Sequence, residues 1–560
     1  MVIQFDEDKQ KIQYQKLREE EEEKFLEIAA SNQQIPYIDL SIHPIDNDAL
    51  RLMDEKEATS SQTVPFTITG KKLGVASRNP SSETTKAIAG KLQAKGFIIT
   101  LYLTSKKSID KAISKYKELS FSAESLEGSI EMSPEAIASL INELTSLPAV
   151  IEKIKSNLSD KKSYRISRVV EIMVAGAIAL DASDIHIEPE ETYVRIRYRL
   201  DGVLNNILEF DLPTFHQLLA RIKLISGMKL NIKDEAQDGR FSVKIKDTDI
   251  EIRASVIPGA YSESIVLRIL NPKSISLTLD KLGLSEKLMT SLNREIGRPN
   301  GMILTTGPTG SGKTTTLYAF LRQVHNPETK IITIEDPIEY HLPGIVQTQT
   351  DTDRGYTFAL GLRAAVRQDP DIIMVGEIRD NETAEVAVNA ALTGHLVFST
   401  LHTNNAAGAF PRLIDLGVNP KVLTSAITVS MAQRLIRKLC ENCKQEKIPT
   451  PAERSSLEKI MSSIKDESQK APVGKIFDAN PKGCEKCHNG YKGRIGVYEA
   501  ILTDEKIEQV VIANPSEREI KKAAEDQGIL DMTQDGVIKV LKGVTSLSEL
   551  SRVVNVNLEP

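Results

Sequence analysis

The chain has 560 residues, enough for about three to five domains of ~100–200 residues each. Its 71 basic and 77 acidic residues leave a net charge of −6, and tryptophan is absent, which argues against a nucleic-acid-binding protein. It contains no run of ~18 apolar residues, and its polar, acidic start is unlike a secretory signal. We therefore expect a cytoplasmic protein that reaches the inner membrane only through partners.

The first 165 residues are predicted to form a tail, a docking domain without a cluster of catalytic residue types, and a connector. Residues 1–28 contain the acidic run Glu19–Glu23 and predict an acidic helical tail. Residues 29–120 alternate short β-rich runs with helical stretches, which predicts a small α+β docking domain. Residues 121–165 are rich in Ser, Glu and Lys around one amphipathic helix, and we expect a connector there.

Residues 166–280 show the alternation of an antiparallel sheet. Val194, Ile196, Tyr198 and Leu200 share one face, and the residues between them are arginines. Such arginines can simply keep a sheet face soluble. Beside a nucleotide domain, a set of them also suggests phosphate-directed groups, which contribute ~10³–10⁵ to the rate of phosphoryl transfer. The candidates are Arg199, Arg240, Arg253 and Arg268.

A nucleotide-binding motif lies in residues 281–438. The apolar run 302–304 predicts a buried strand, a glycine-rich loop follows it, and a helix then begins. The loop matches G-x-x-x-x-G-K-[ST] without a mismatch, in the strand–loop–helix context that this motif requires. Its candidate phosphate-binding residues are Gly307, Pro308, Thr309, Gly310, Ser311, Gly312, Lys313 and Thr314. Lys313 is expected to reach the β- and γ-phosphates of ATP, and Thr314 to bind Mg²⁺.

Acidic and histidine residues follow the next predicted strands. Glu335 and Glu339 come at the end of one strand and Glu377 at the end of another, where ligands bind in open α/β sheets. Glu377 is the first choice for polarising the attacking water, with Glu335 and Glu339 as rivals. His395 and His402 flank a third strand and are candidate γ-phosphate sensors, with His395 preferred.

Four cysteines occur in the sequence, as two C-x-x-C pairs in residues 439–490. Two such knuckles in a large cytosolic protein favour a closed tetrahedral Zn²⁺ site over a disulfide framework or a redox pair. The predicted ligands are Cys440, Cys443, Cys484 and Cys487. Residues 491–560 are expected to form a helical domain, beginning with a capping box at Ser516–Glu519.

Together these motifs resemble the GspE/PulE/PilB branch of the type II/type IV secretion ATPases. The likeness covers residues 165–560 and includes the P-loop, the acidic boxes 334–339 and 362–380, the histidine segment 393–404 and the tetracysteine. It implies an α/β fold in which a RecA-like ATPase domain follows a PAS-like domain, with arginines completing the nucleotide site between them. Some N-terminal modules of the family bind a cyclic dinucleotide through Arg-Leu-Gly; this sequence lacks that motif, so the resemblance is not extended to that ligand.

The resemblance also implies a homohexameric ring that drives pilin or pseudopilin assembly through an inner-membrane platform protein, with a cytoplasmic docking partner for the N-terminal module. A retraction motor of the same superfamily is one alternative, but those motors typically lack the tetracysteine and the large N-terminal module. A nucleic-acid translocase and a non-hydrolysing scaffold are further alternatives, disfavoured by the acidic net charge and by the intact acidic boxes. The sequence leaves type II secretion and type IV pilus extension equally open.

Overall fold

The computed structural model of the chain divides into two compact units, Met1–Leu126 and Glu127–Pro560. The residues that the structure describes are 23–32, 35–43, 45–50, 52–69, 72–94, 96–119, 134–159, 165–245, 248–272 and 277–556. All but the last residue of the acidic run Glu19–Glu23 lies outside them. The predicted mixed α/β fold class is confirmed.

The first unit is a three-stranded sheet with helices packed on it. Strand β2 lies in the middle, antiparallel to β1 and parallel to β3. Leu50, Leu73 and Ile109 are fully buried in its core. Its elements are α1 (residues 23–32), α2 (Asn47–Leu50), α3 (Glu55–Ser61), β1 (Thr63–Thr69), β2 (Lys72–Ser77), α4 (Glu83–Ala94), β3 (Ile98–Leu103) and α5 (Lys106–Leu119).

The second unit begins with helices that cover one face of a six-stranded antiparallel sheet. The strand order is β6-β5-β4-β9-β8-β7. Its elements are α6 (Pro134–Glu143), α7 (Leu147–Leu158), α8 (Arg165–Ala179), β4 (Asp184–Pro189), β5 (Val194–Leu200), β6 (Val203–Phe210), α9 (Leu212–Ile225), β7 (Gln237–Ile245), β8 (Thr248–Ile257) and β9 (Ser264–Leu270). The predicted alternation places the apolar side chains of β5 under these helices, where the buried Tyr198 hydroxyl donates to the Met173 carbonyl at 2.6 Å.

The predicted connector 121–165 needs correction over its described part. Residues 134–158 are two helices whose apolar side chains, including Leu140, Val150 and Ile154, lie in the same hydrophobic core as the six-stranded sheet. These helices are amphipathic and short, and they are stabilised by packing rather than by their own propensity. The stretch is therefore part of the second unit rather than a linker.

The second unit continues into a seven-stranded sheet of order β12-β11-β13-β14-β10-β15-β18. The first six strands in this order, from β12 across to β15, run parallel. Strand β18 is antiparallel to its neighbour β15. The elements from its first helix to β15 are α10 (Glu286–Ile296), β10 (Gly301–Thr306), α11 (Lys313–Val324), β11 (Ile331–Glu335), β12 (Val346–Gln349), α12 (Phe358–Val366), β13 (Ile372–Val375), α13 (Asn381–Leu392), β14 (Leu396–Leu401), α14 (Ala409–Asp415), α15 (Pro420–Ala426) and β15 (Ile427–Leu439).

Each face of this sheet carries its own hydrophobic core. On β10, Met302 and Leu304 belong to one core and Ile303 to the other, as the two-residue repeat of a strand requires. Burial on both faces explains why the strands are continuous apolar runs in the sequence. The carboxyl ends of the six parallel strands β10 to β15 lie along one edge, where the predicted site residues are expected to meet.

The C-terminal part was predicted to be separate and helical, and this is wrong at its start. Residues 491–502 form strand β18, which extends the central sheet by pairing with β15 from Val429–Leu502 to Leu439–Tyr491. The elements after β15 are β16 (Gln445–Lys447), α16 (Pro451–Ser463), β17 (Ile476–Asp478), β18 (Tyr491–Leu502), α17 (Glu505–Ala513), α18 (Glu517–Ala524), α19 (Met532–Leu541) and α20 (Leu547–Val553). The helices after β18 share a single core with the sheet, since Val537 and Leu550 lie in the same cluster as Val397.

None of the helices in the described part of the chain is both long and apolar enough to span a bilayer.

Candidate nucleotide-binding site

The glycine loop has the backbone of a phosphate cradle. Gly307, Gly310 and Gly312 all have positive φ, at 145°, 78° and 91°, and Gly312 caps helix α11. A Cβ on Gly307 would lie 2.6 Å from Ser311 Oγ, so only glycine fits there. The Ser311 hydroxyl is buried and has no hydrogen-bond partner among the described residues. The loop therefore presents backbone N–H groups and an unsatisfied hydroxyl at a helix N-terminus, which suits a polyphosphate.

Lys313 and Thr314 lie at the mouth of this loop. The Lys313 ammonium donates to the carbonyls of Gly307 at 2.7 Å and Pro308 at 3.2 Å, so it is folded over the loop. Thr314 is exposed, which leaves its hydroxyl open to a ligand. Thr314 could hold a Mg²⁺ ion, the charge partner that polyphosphate transfer needs.

Glu377 lies beside the loop at the end of β13. Burial lowers the pKa of Lys313, and the Glu377 carboxylate is close enough to oppose that effect. Glu377 also contacts His402 Nε2 at 3.1 Å and Arg379 at 2.5 Å. Arg379 in turn reaches Asp336 at 3.9 Å and so joins the two acidic boxes. The geometry brings together the phosphate loop, a carboxylate, a histidine and an arginine that sequence reasoning had not selected.

Glu335 is placed differently from Glu377. It is 3% exposed, and its carboxylate accepts hydrogen bonds from the Tyr318 hydroxyl, from Thr333 Oγ1 at 2.6 Å and from Gln347 Nε2 at 3.0 Å. Tyr318 belongs to helix α11, so Glu335 ties the P-loop helix to β11. A buried carboxylate with three protein donors stabilises the fold. Glu377, in contrast, is partly exposed at the carboxyl edge of the sheet.

The structure does not support the preference for His395. Strands β10 and β14 are parallel, with Gly301 opposite Leu396 and Thr306 opposite Leu401. His395 therefore precedes β14 at the amino edge of the sheet, about 23 Å along the strand from His402 at the carboxyl edge. Its ring contacts only the Ala390 carbonyl, at 3.0 Å, among the described residues. Both histidines flank one strand, but only His402 is at the phosphate loop.

The four candidate arginines lie in one lateral row of the six-stranded sheet. Residues directly opposite each other on neighbouring strands point to the same face. The register gives the row Arg240, Arg253, Arg268, Asp184 and Arg199 on β7, β8, β9, β4 and β5. Asp184 is the one acidic residue among these five, and its carboxylate forms ion pairs with Arg199 at 3.1 Å and with Arg268 at 3.3 Å. Arg240 is exposed and forms no ion pair with the residues that the structure describes.

Arg253 connects this row to the seven-stranded sheet. Its guanidinium donates to the Ile338 carbonyl at 2.7 Å and to Glu339 at 3.3 Å, both in the acidic box that follows β11. Glu339 therefore binds an arginine of the other sheet, a role distinct from that of Glu335 or Glu377. At a second point of contact, Asp201 accepts a hydrogen bond from the Gly493 N–H at 2.9 Å. Arg253 thus attaches the row to the segment after β11, and Asp201 attaches the turn after β5 to β18.

Two residues of β15 that contact the P-loop were not among those predicted from the sequence. Gln433 is 1% exposed; its Nε2 donates to the Ser311 carbonyl at 2.7 Å and its Oε1 accepts from Thr316 Oγ1 at 2.8 Å. Arg434, next to it, lies beside Gly307. Gln433 holds the P-loop by a hydrogen bond and Arg434 packs against it, from a strand more than a hundred residues later, so no local pattern could have indicated them.

The four cysteines meet at one point. Their sulfurs lie within 4.8 Å of one another, and none forms a disulfide. The pairs Cys440–Cys484, Cys443–Cys487 and Cys484–Cys487 are 3.8, 3.5 and 3.6 Å apart. A tetrahedral Zn²⁺ with Zn–S bonds of ~2.3 Å places its sulfurs ~3.8 Å apart, so the cluster fits zinc.

Comparisons with known proteins match this arrangement. The family model described as type II/IV secretion system protein matches residues 159–552, and the MshEN domain model matches residues 33–123. The type II secretion system protein E of Aeromonas hydrophila is 44% identical over 389 residues, which are 69% of this chain and 75% of that protein. The type IV pilus assembly ATPase PilB of Acinetobacter baylyi is 37% identical over 511 residues, 90% of this chain and 84% of that protein.

Solved structures agree on the fold. The Legionella pneumophila ATPase DotB covers 70% of this chain and 97% of its own length, with 23% sequence identity and a TM-score of 0.50. At that identity the likeness concerns the fold alone.

Proposed function

Because the chain belongs to the type II/IV secretion system protein family, we propose that it is a motor that hydrolyses ATP to drive the assembly of pilin or pseudopilin subunits. Its relatives are secretion and pilus assembly ATPases, and a retraction motor is not favoured. The observation that carries the proposal is the position of Glu377, between His402 and the Lys313 side of the phosphate loop.

The phosphate loop would hold the triphosphate. Backbone N–H groups of residues 309–312 and the N-terminus of α11 would surround the β-phosphate, and the Lys313 ammonium would leave its carbonyl partners for the γ-phosphate. A Mg²⁺ ion at Thr314 would neutralise charge that develops on the transferred group. The exchange of two carbonyls for a phosphate strengthens the lysine's hydrogen bonds, because the new acceptor is charged.

Glu377 would orient and deprotonate the attacking water. Its carboxylate is 13% exposed, and Arg379 holds Oε1 while His402 holds Oε2. Each oxygen has a second lone pair, which would accept a hydrogen bond from the water. A water in line with the γ-phosphate needs this kind of fixed acceptor. His402 replaces His395 as the candidate sensor, and Glu335 is assigned to holding the P-loop helix.

The arginine row would complete the site from the six-stranded sheet. Arg199, Arg240 and Arg268 are the candidates for contacting phosphate, and Arg253 holds the two sheets together through Glu339. Domain closure would bring the row to the nucleotide, and product release would open it. In a homohexameric ring, these closures would be passed to an inner-membrane platform protein, with the N-terminal module binding a cytoplasmic partner. Zinc at the four cysteines would serve as a structural ion.

The test is phosphate release by purified full-length protein carrying Lys313→Ala, with Lys421→Ala, an exposed lysine on α15, as the matched control. We expect Lys313→Ala to lower kcat at least about 100-fold while Lys421→Ala stays within about twofold. Hydrolysis that survives Lys313→Ala would refute the site.

A deletion strain distinguishes the two systems. Loss of surface pili with normal protein export would indicate pilus extension, and the reverse would indicate type II secretion. Light scattering at working concentration with ADP tests the ring, since a homohexamer has six times the mass of the chain.

A further inference from the structure

Arg434 lies between the two loops that form the site. Its Nη1 donates to the Gln433 carbonyl at 3.0 Å, and its Nη2 donates to the Asn404 carbonyl at 2.9 Å. A Cβ on Gly307 would be 3.2 Å from Nη1, so the guanidinium touches the first glycine of the phosphate loop. Lys313 is near enough for Arg434 to contribute, after burial, to the lowering of its pKa. The side chain is therefore at the phosphate loop, although its hydrogen bonds go to other backbone groups.

On one side, Arg434 packs against the phosphate loop without a hydrogen bond to it. The Gln433 carbonyl that it binds lies 2.7 Å from the position of a Gly307 Cβ. The side chain of the same Gln433 donates to the Ser311 carbonyl at 2.7 Å. Residues 433 and 434 thus contact the loop near its start, at Gly307, and near its end, at Ser311. A shift of the guanidinium toward the loop would displace Gly307.

On the other side, Arg434 is tied to the loop that carries His402. Asn404 lies two residues after His402, and His402 contacts Glu377 at 3.1 Å. The same loop is fixed further on, where the Ala406 N–H donates to Glu499 at 2.8 Å. The guanidinium of Arg434 binds this loop at Asn404, between His402 and Ala406, and so links it to the phosphate loop.

We propose that Arg434 is a positioning residue for hydrolysis: its guanidinium spans the phosphate loop and the 402–406 loop and sets the distance of His402 and Glu377 from the γ-phosphate. The inference rests on the proposed function. Arginine suits this role because its rigid planar fork presents two diverging N–H groups, one for each carbonyl. A lysine keeps the charge but cannot bridge both carbonyls in a fixed geometry.

Arg434→Lys therefore keeps the positive charge but removes the link between the Gln433 and Asn404 carbonyls. Arg434→Gln removes both, and Lys438→Gln, an exposed lysine of the same strand, is the matched control for loss of one charge. For each full-length variant, kcat, KM for ATP, Kd for a fluorescent ADP analogue and the apparent Tm are measured. We expect Arg434→Lys and Arg434→Gln both to lower kcat about 10- to 100-fold, with KM, Kd and Tm close to those of the parent and Lys438→Gln unchanged.

Three results would overturn the inference. Arg434→Lys with parental kcat would show that charge alone is needed. A Kd that rises as much as kcat falls would make Arg434 a binding group, and a Tm that falls in parallel with kcat would make it structural. These outcomes require an active parent, so they differ from failure of the proposed function, in which the parent itself does not hydrolyse ATP.

Discussion

Replacing each strand-end glutamate by its isosteric amide separates the chemistry of the site from its stability. Glu335 accepts three hydrogen bonds in a buried position. Thr333 and Gln347 both donate to Oε1 and Tyr318 donates to Oε2, so a glutamine that keeps its oxygen at the Oε1 position loses the Tyr318 bond, at ~1.5–3 kcal/mol. The two remaining bonds become weaker, because their acceptor is no longer charged. We expect a loss of about 3 kcal/mol, which corresponds to about 3 °C in the apparent Tm of the second unit, at ~2.1 cal/mol/K of unfolding entropy per residue. Its kcat, measured below that transition, should fall less than about tenfold.

Glu377→Gln should behave in the opposite way. The Glu377 carboxylate contacts partners that are themselves 52% and 61% exposed, so the substitution should cost less than about 1 kcal/mol. Removal of a general base typically lowers kcat by ~10²–10⁴. Phosphate release and thermal unfolding are measured on both variants under identical conditions. If Glu335→Gln loses activity 100-fold at an unchanged Tm while Glu377→Gln remains active, the assignment of the two acids is reversed.

Three further outcomes are expected. His402→Ala should lower kcat about 10- to 100-fold while His395→Ala stays within about twofold, because only His402 lies at the carboxyl edge; equal effects in phosphate-release assays would contradict this. The purified chain should contain one zinc ion by elemental analysis, and Cys443→Ser should lose it together with several degrees of Tm; a parent without zinc would disprove the site. Burial raises the pKa of Glu549, but hydrogen bonds from two arginines outweigh it and hold the pKa below its usual value, so this stabilisation is complete above pH ~4.3 and lost at lower pH. The Tm gap between the parent and Glu549→Gln should be constant near neutral pH and narrow below pH ~4.3, and a gap that widens in acid would have the wrong sign.

The sequence predicted what is encoded locally. The P-loop, its strand and its helix are adjacent in the chain, so the motif at Gly307–Thr314 and the burial of β10 could be predicted together. The alternation of residues 194–200 predicted the sheet face, and two close cysteine pairs predicted their cluster. In each case the chemistry depends on residues a few positions apart, for which spacing determines geometry.

What the sequence could not predict depends on distant partners. His395 and His402 flank the same strand, and only the parallel pairing with β10 decides which one meets the phosphate loop. Glu335 and Glu377 both end strands, and only the packing of Tyr318 on β11 turns one of them inward. Strand β18 was missed because a lone strand after a metal segment, with glycines at 493 and 496, has little local signal; pairing with β15 stabilises it.

The arginine row has a mechanical consequence. Its five members sit on five hydrogen-bonded strands about 5 Å apart, so the row extends about 19 Å across a stiff sheet. Because the strands are hydrogen-bonded to one another, the backbones that carry the guanidinium groups move together. A small tilt of the whole sheet would therefore bring several positive charges toward the nucleotide, or move them away, at the same time. The electrostatic potential at a bound nucleotide would then change in one step instead of gradually.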